Sequence, residues 1–346
     1  MSNGLKQYFP MIQTREELCK KIQTTPELKF LFDSWDESQQ EEFLQFCTGM
    51  QGVKILYDSF FKEILNPDTA PSRLEELLSL ILQRHIRILH VLPNDSSRIA
   101  EENALLIMDI VVQLEDGSIA NIEVQKIGYS FPGQRSACYS ADLLLRQYKR
   151  AKNERKKKFS YRDIKSVYTI VFIEKSSGEM KRHKQDYVHH FCQKSDTGLH
   201  MELLQEFVFI PLDIYRETRH NKGIKNDLDA WLTFLSEDNP EIIVQLIKQY
   251  PKFIPMYREI YELCRNVEKV MGLFSKELQI LDKNTVQYMI DQMQDTIDEQ
   301  QSTIQEQQNT IKQKSELLAS QEVLLQQKES ELEQLKKQLE EQCEVL

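Results

Sequence analysis

Two carboxylates stand where a chain of this pattern usually buries apolar groups. The stretch LLIMDIVVQLEDGSIANIEVQK, from Leu105 to Lys126, opens with a β-branched run that ends at Leu114. Glu115-Asp116-Gly117 follows as a turn signal, and period-two alternation resumes from Ser118 to Gln125, the pattern of two strands joined by a tight turn. Asp109 interrupts the first strand and Glu123 the second. Alternation puts Ile119, Asn121, Glu123 and Gln125 on one face and Ala120, Ile122 and Val124 on the other. Buried acids are costly unless paired or bound to a metal. Two carboxylates sharing a site repel by about 4 kcal/mol at about 4 Å and an effective dielectric near 20, and a cation between them removes the repulsion. Hard oxygen donors completed by water suit Mg²⁺ or Mn²⁺. On spacing alone a blander alternative stands: Asp109 at a solvated strand edge and Glu123 on an exposed face.

The elements around this hairpin must position it. Residues 5–50 alternate short helical pieces with polar breaks, and Val53 to Leu65 carries apolar residues at helical spacing, with Tyr57, Phe60 and Phe61 as core candidates. Ser72 to Leu82 reads as a helix with a capping box between Ser72 and Glu75 and a buried stripe of Leu74, Leu77, Leu78, Ile81 and Leu82. His85 to Leu92 reads as a first strand, closed by Pro93-Asn94-Asp95. After the hairpin, Gly128 and Phe131-Pro132-Gly133 form a loop. Gln134 to Lys152 is then an amphipathic helix, with Ala137, Ala141, Leu144, Leu145 and Tyr148 along one line and Arg135, Tyr139, Asp142, Arg146 and Lys149 along another. Ser166 to Glu174 is a near-continuous apolar run, the signature of a strand covered on both faces. Gly178 to Gly198 is polar; its His183, His189, His190 and Cys192 fit no standard zinc spacing. Glu206 to Leu212 is a further strand. This order gives an α/β fold with a mixed sheet, followed by a wholly helical stretch over 224–282.

From Ile290 the chain changes character. Ile290, Ile297, Ile304, Ile311, Leu318, Leu325, Leu332, Leu339 and Leu346 recur every seventh residue, a heptad seam. Three positions on, Met293 and Leu335 are apolar, but Gln300, Gln307, Lys314, Gln321, Lys328 and Gln342 are polar. A long helix is therefore expected, with weak self-association into a homo-oligomer through a C-terminal coiled coil.

Charge divides along the same line. The formal net charge is −10, yet from Asp282 onward 14 acids face 6 lysines, which leaves the rest of the chain nearly neutral. On that neutral body, Arg146 to Lys165 gathers ten basic residues, densest at Arg155-Lys156-Lys157-Lys158. Such a concentration suits a phosphate backbone, though a solvated lysine-rich loop has the same composition. The six cysteines are scattered without CxxC spacing, which fits free thiols. No apolar run is long enough for a membrane span and the first residues lack a secretory h-region, so a soluble, cytoplasmic protein is expected.

At MDIVVQLEDGSIANIEVQ the sequence resembles the Asp…Glu-x-Lys core of the PD-(D/E)XK nucleases, and more closely the branch of PD-(D/E)XK nuclease family transposases, or recombination-promoting nucleases. There the final Lys is commonly Gln. The likeness extends through RLEELLSLILQRHIRILHVLPNDS before the hairpin and GYSFPGQRSACYSADLLLRQYKR after it, covering about Phe60 to Asp213. The resemblance implies a restriction-endonuclease-like mixed β-sheet flanked by helices, spanning 53–215. An N-terminal helical segment over 1–52, a helical extension over 216–285 and a Gln/Glu-rich coiled coil over 286–346 complete the expected organisation.

The same resemblance implies that Asp109 and Glu123 bind Mg²⁺ or Mn²⁺, that Val124 adds its backbone carbonyl, and that Gln125 takes the Lys position. An extra acid on the helix before the sheet, Glu75 or Glu76, is a candidate further ligand; Glu75 also serves the expected cap, and a solvated position would equally account for Glu76. Arg135, Arg146, Lys149, Arg150, Arg155, Lys156, Lys157 and Lys158 are the candidate DNA contacts. The expected function is a metal-dependent DNA endonuclease of recombination or mobile-element biology, leaving 5′-phosphate and 3′-hydroxyl ends. Gln125 keeps a second reading open, a catalytically inactive DNA-binding or regulatory protein on the same fold, because an amide cannot supply the charge of a lysine. A third is a coiled-coil assembly protein whose core is scaffolding.

Overall fold

The computed structural model describes residues 4–92, 110–126 and 132–343. The chain divides into two units, Met1–Val286 and Gln287–Leu346. In the first, five helices precede the sheet: α1 (Arg15–Thr24), α2 (Pro26–Asp33), α3 (Glu37–Cys47), α4 (Asp58–Ile64) and α5 (Pro71–Leu82). Strands β1 (Ile88–Val91), β2 (Ile110–Leu114) and β3 (Ile119–Gln125) follow, then α6 (Pro132–Arg155) and β4 (Val167–Ile173). The short β5 (His189–Phe191) and β6 (Gln205–Pro211) complete a six-stranded sheet of order β1-β2-β3-β4-β6-β5. Helices α7 (Leu212–Lys222), α8 (Asp227–Ser236), α9 (Pro240–Gln249) and α10 (Ile254–Arg265) lead into α11 (Val267–Cys343).

The sheet is mixed, as the sequence predicts. β1, β2 and β3 pair antiparallel, whereas β4 runs parallel to both β3 and β6. The arrangement is a restriction-endonuclease-like α/β fold. The hairpin turn between β2 and β3 falls at Glu115-Asp116-Gly117, and Gly117 adopts φ 86°, a left-handed geometry that glycine accepts without strain. Asp116 fixes the turn by accepting the Ser118 N–H at 2.9 Å, and Arg84 donates to its other oxygen at 2.6 Å.

A large core covers one face of the sheet, and two smaller clusters, one of them Val171, Ile173 and Phe209, cover the other. Ile110, Val112, Leu114, Ala120, Ile122, Ile170, Phe172, Val208 and Ile210 join the large core that also takes up the N-terminal helices, α5 and α8 to α10. Leu74, Leu77, Leu78 and Ile81 are the buried stripe of α5, each contributing about 1.5–3 kcal/mol by removal from water. Phe60, Phe61 and Tyr57 are buried in the same core, as expected. On the opposite face a smaller core of Val111, Ile119, Val167, Tyr139 and Leu143 lies under α6.

Three local readings need correction. Helix α5 begins at Pro71, with Ala70 at its cap position and no side-chain capping bond, so the Ser72–Glu75 box is not formed. Proline at the first helical position removes one unsatisfied N–H and presets φ; Glu75 is released to accept the Ile88 N–H at 2.8 Å, tying the helix to β1. The packing side of α6 is also not the alanine and leucine line: Ala137, Ala141 and Leu145 are exposed, while Ser136, Tyr139, Ser140, Leu143 and Gln147 are buried. The sheet face beneath mixes Val111, Ile119 and Val167 with the polar Asn121, Glu123 and Thr169, and hydropathy alone selects the wrong stripe. Finally, the polar stretch after β4 contains a strand: β5 caps the sheet edge by pairing antiparallel with β6.

In the second unit the described residues from Gln287 to Cys343 are helical, part of α11. Ile290, Ile297, Ile304, Ile311, Leu318, Leu325 and Leu332 are all exposed on the single chain. Among the described residues no helix is long and apolar enough to cross a membrane. Cys19, Cys47, Cys138, Cys192 and Cys264 carry free thiols.

A buried ion pair ties α11 to the end of β3. Lys126 and Glu277 form a salt bridge with their side chains only 5% and 0% exposed, and the Lys126 ammonium lies 4.9 Å from the Tyr57 ring centroid. Deleting one partner of a buried pair strands the other charge, at about 3–5 kcal/mol, whereas replacing both with apolar groups is far milder. Lys126→Met is therefore expected to lower the unfolding free energy by about 3–5 kcal/mol, measured by urea denaturation. Lys126→Met combined with Glu277→Leu is expected to recover most of that loss.

Candidate active site on the α6 face of the sheet

Strand β3 carries three consecutive polar residues on its α6 face, and all three are buried. Asn121 is 0% exposed, Glu123 8% and Gln125 8%. Each has a reason to be on that side: Ile119, at the start of the same alternation, packs against Tyr139 and Leu143 of α6. Across the parallel pairing, Asn121 stands opposite the buried Thr169 and Glu123 opposite Val171. The flanking helix answers with serines in place of leucines: Ser136 and Ser140 are buried, and Gln205 of β6 donates to Ser140 Oγ at 3.0 Å. Gln147 donates to the Lys165 carbonyl at 3.2 Å and accepts from the Lys165 N–H, which clamps α6 to the segment entering β4. A polar patch therefore adjoins the small apolar core of Val111, Ile119, Val167, Tyr139 and Leu143 between helix and sheet.

Within the patch, Asn121 Nδ2 donates to Glu123 Oε1 at 2.7 Å, a bond between two buried groups. This fixes one carboxylate oxygen and satisfies part of the cost of burying the acid. Asn121 Oδ1, Gln125 Nε2 and Thr169 Oγ1 are buried without a hydrogen-bond partner among the described residues. Unsatisfied donors and acceptors gathered beside an acid mark a place where a ligand, ion or water completes the bonding. The backbone contributes as well. The Gln125 carbonyl accepts the Glu174 N–H of the β4 side at 2.8 Å, so strand alternation turns the Val124 carbonyl toward the β2 side. There the pairing of Ile110 with Ile122 ends the described ladder.

A family model described as PD-(D/E)XK nuclease family transposase matches residues 55–291. The chain belongs to this family. No curated protein and no solved structure matches it. The match takes in the sheet, α6 and the helices after β6 up to the early part of α11, and so reaches well past Asp213, where the sequence likeness fades. For a PD-(D/E)XK nuclease family transposase, membership suggests a nuclease and mobile-element role.

The residues singled out from sequence fare differently. Asp109 lies outside the described residues. Glu123, Val124 and Gln125 sit together at the C-terminal end of β3. Glu76 is engaged elsewhere: its carboxylate pairs with Lys252, which also binds Asp227 at 2.5 Å. Glu75 is spent on β1. No cluster of three or more His, Cys, Asp or Glu able to hold a metal occurs among the described residues.

The basic candidates separate into held and open groups. Arg146 is fixed by the buried Asp142 at 2.7 Å, and Arg155 by Asp163 at 3.0 Å. Arg135 leans over the Tyr139 ring with 5.3 Å to its centroid. Lys149 and Lys156, Lys157 and Lys158 are exposed, and Arg150 is partly so. The three consecutive lysines form a single 3₁₀ turn beyond the end of α6. Beside them Tyr148, Phe159 and Tyr161 cluster with ring centroids 5.4–6.1 Å apart.

Lys126, one residue past Gln125, faces the other core and is occupied by Glu277. Near it, burial and the adjacent Glu42 charge push the Tyr57 phenol well above its ordinary range. The residue that sequence reading missed is Asn121. Its signal was present, since alternation already set it on the face of Glu123, but an amide two residues from an acid carries no motif.

Removing the Asn121 amide leaves a buried carboxylate oxygen without its donor. Asn121→Ala is expected to cost about 1–3 kcal/mol of stability, with Asn121→Asp worse at neutral pH and improving as pH falls and one of the two acids protonates. Denaturant midpoints measured at pH 5 and pH 8 check both.

Proposed function

We propose that the chain is a Mg²⁺- or Mn²⁺-dependent DNA endonuclease that hydrolyses phosphodiester bonds in recombination or mobile-element biology. The observation that carries this reading is Glu123: a carboxylate buried on a central strand, held by Asn121 at 2.7 Å, within the region matched by the nuclease family. A structural scaffold has no use for a buried acid with unsatisfied polar neighbours, whereas hydrolysis of a phosphodiester does.

The donors fit a hard divalent cation. Glu123 offers a carboxylate oxygen, Val124 a backbone carbonyl turned to the β2 side, and Asp109 precedes Ile110, which pairs with the immediate neighbour of Glu123. Oxygen donors of this kind, completed by water, are the set that Mg²⁺ and Mn²⁺ take. Bound there, such a cation supplies positive charge to the phosphoryl oxygens and acidifies water. Asn121 keeps the Glu123 carboxylate in one orientation. Gln125 offers N–H donors that orient a water or a phosphoryl oxygen, but no charge. Lys149 and Lys156 to Lys158 are available to the DNA backbone. Glu76, committed to Lys252, is not required by this reading. The exposed heptad seam of the tail supports self-association of the chain, bringing more than one site to one DNA molecule.

Gln125 favours a second reading, an inactive DNA-binding protein on the same fold, because loss of one transition-state stabiliser typically costs about 10²–10³ in rate.

Supercoiled plasmid incubated with Mg²⁺ or Mn²⁺ separates the two. The proposal expects metal-dependent nicking that EDTA, Asp109→Ala and Glu123→Ala each abolish, and a faster rate in Gln125→Lys. DNA binding without cleavage in either metal, by the wild type and by Gln125→Lys alike, would leave only the inactive protein.

A further inference from the structure

Beyond the end of α6 the chain builds a corner from aromatic and basic residues. Lys156–Lys158 and Tyr161–Asp163 are successive 3₁₀ turns. The second is closed by a capping box, in which Ser160 Oγ accepts the Arg162 N–H at 3.4 Å and Asp163 accepts the Ser160 N–H at 2.8 Å. The Tyr148 and Tyr161 rings lie nearly parallel, with planes at 15°, and Phe159 meets both edge-on. Although two rings hold it, Tyr161 is 74% exposed. A tyrosine fixed by its neighbours and open to solvent is a stacking platform ordered before any ligand arrives.

Cations surround the platform. Lys152 donates to the Tyr148 hydroxyl at 2.9 Å, and Lys156, Lys157 and Lys158 directly precede Phe159. These four lysines and Arg162 are exposed, and none pairs with an acid among the described residues. Of the two acids in this segment, Asp163 is taken by Arg155 at 3.0 Å and Glu154 is exposed. Lys156 also adopts φ 47° just past the end of α6, a left-handed position that glycine or asparagine ordinarily fills. A lysine kept there against its backbone preference argues that its charge is used. Unpaired cations around an open aromatic ring complement a chain that alternates phosphates with flat bases. A duplex does not offer those bases, because they are stacked on one another.

We propose that this corner binds a single-stranded segment of DNA, with one base stacked on Tyr161 and the adjoining phosphates on Lys156, Lys157, Lys158 and Arg162. Gln147 clamps α6 to Lys165, two residues before Val167, the partner of Ile119. At about 3.3 Å per residue along the strand, the corner therefore lies roughly 20 Å from Glu123. The inference rests on DNA as the substrate of the nuclease reading, and on neither its metal nor its cleavage. It adds that the substrate is unpaired away from the cut.

The test is fluorescence anisotropy on the full chain in EDTA, with three labelled 20-mers: a mixed-sequence single strand, its duplex, and a wholly abasic strand with the same phosphates. Tyr161→Ala is expected to weaken binding of the single strand about tenfold and to leave the duplex and the abasic strand unchanged. Tyr161→Phe, which keeps the ring, is expected to bind as the wild type does. Lys156→Gln, Lys157→Gln and Lys158→Gln together are expected to weaken the single and the abasic strand alike and to lower the salt slope by about 2. No loss in Tyr161→Ala, or an equal loss on all three strands, overturns the proposal, as does unaltered binding by the triple lysine variant. Tyr161-dependent binding that favours RNA of the same sequence, or vesicles of phosphatidylserine, overturns it in favour of those partners. Nicking of plasmid in Mg²⁺ reads the nuclease separately, so either reading can fail alone.

Discussion

Burying Glu123 is the constraint from which the rest of the site follows. An ionised carboxylate between a helix and a sheet loses its water, and the surrounding residues must replace what the water supplied. Asn121 replaces part of it directly. The helix above cannot then present a leucine stripe, so α6 lays serines and Gln147 on the sheet and is clamped at its far end by the entry to β4. The parallel pairing of β3, β4 and β6 gives that face its rigidity, since β4 is bonded to both neighbours along its whole length. Beside the acid, Asn121 Oδ1, Gln125 Nε2 and Thr169 Oγ1 are left without partners among the described residues. An apolar residue at 123 would need none of this, and the polar patch is hard to account for unless the acid itself is needed.

Much of the scaffold was legible because it rests on local pattern. The Asp116-Gly117 turn, the alternation of β3, the apolar run of β4 and the stripe of α5 each announce themselves within a few residues. The face assignment of Asn121, Glu123 and Gln125 followed from period two alone. What failed, failed where tertiary context overrides hydropathy. The α6 stripe differs from the hydropathic one because its partner face mixes polar with apolar residues, and β5 leaves no pattern because His189-His190-Phe191 becomes a strand only by pairing with β6. The Ser72 cap lost to Pro71, which begins the helix one residue earlier. Pairings such as Lys126 with Glu277, and Glu76 with Lys252, join residues far apart in sequence and leave no local trace.

Gln125 and Lys126 show how sharply strand geometry sorts adjacent residues. A sequence reader looking for a lysine beside Glu123 finds one immediately, yet alternation sends it to the opposite core, where it binds Glu277 of α11 and lies over Tyr57. The amide stays on the face of the acid. The chain thus keeps a lysine at the end of β3 for anchoring the first turns of its long helix, and places an uncharged donor toward the proposed site. On the proposed reading, the strand that carries the chemistry is also the strand to which α11 is attached.

The central claim is that Glu123 is buried in order to hold a divalent cation. Titration of the full chain with Mn²⁺ by calorimetry, beside the near-isosteric Glu123→Gln, tests it without depending on cleavage. The account predicts saturable Mn²⁺ binding by the wild type that is lost in Glu123→Gln, with the variant's fold and α6 packing intact. Mn²⁺ binding of equal strength in Glu123→Gln, or none in the wild type, would contradict it and make the buried acid a structural feature alone.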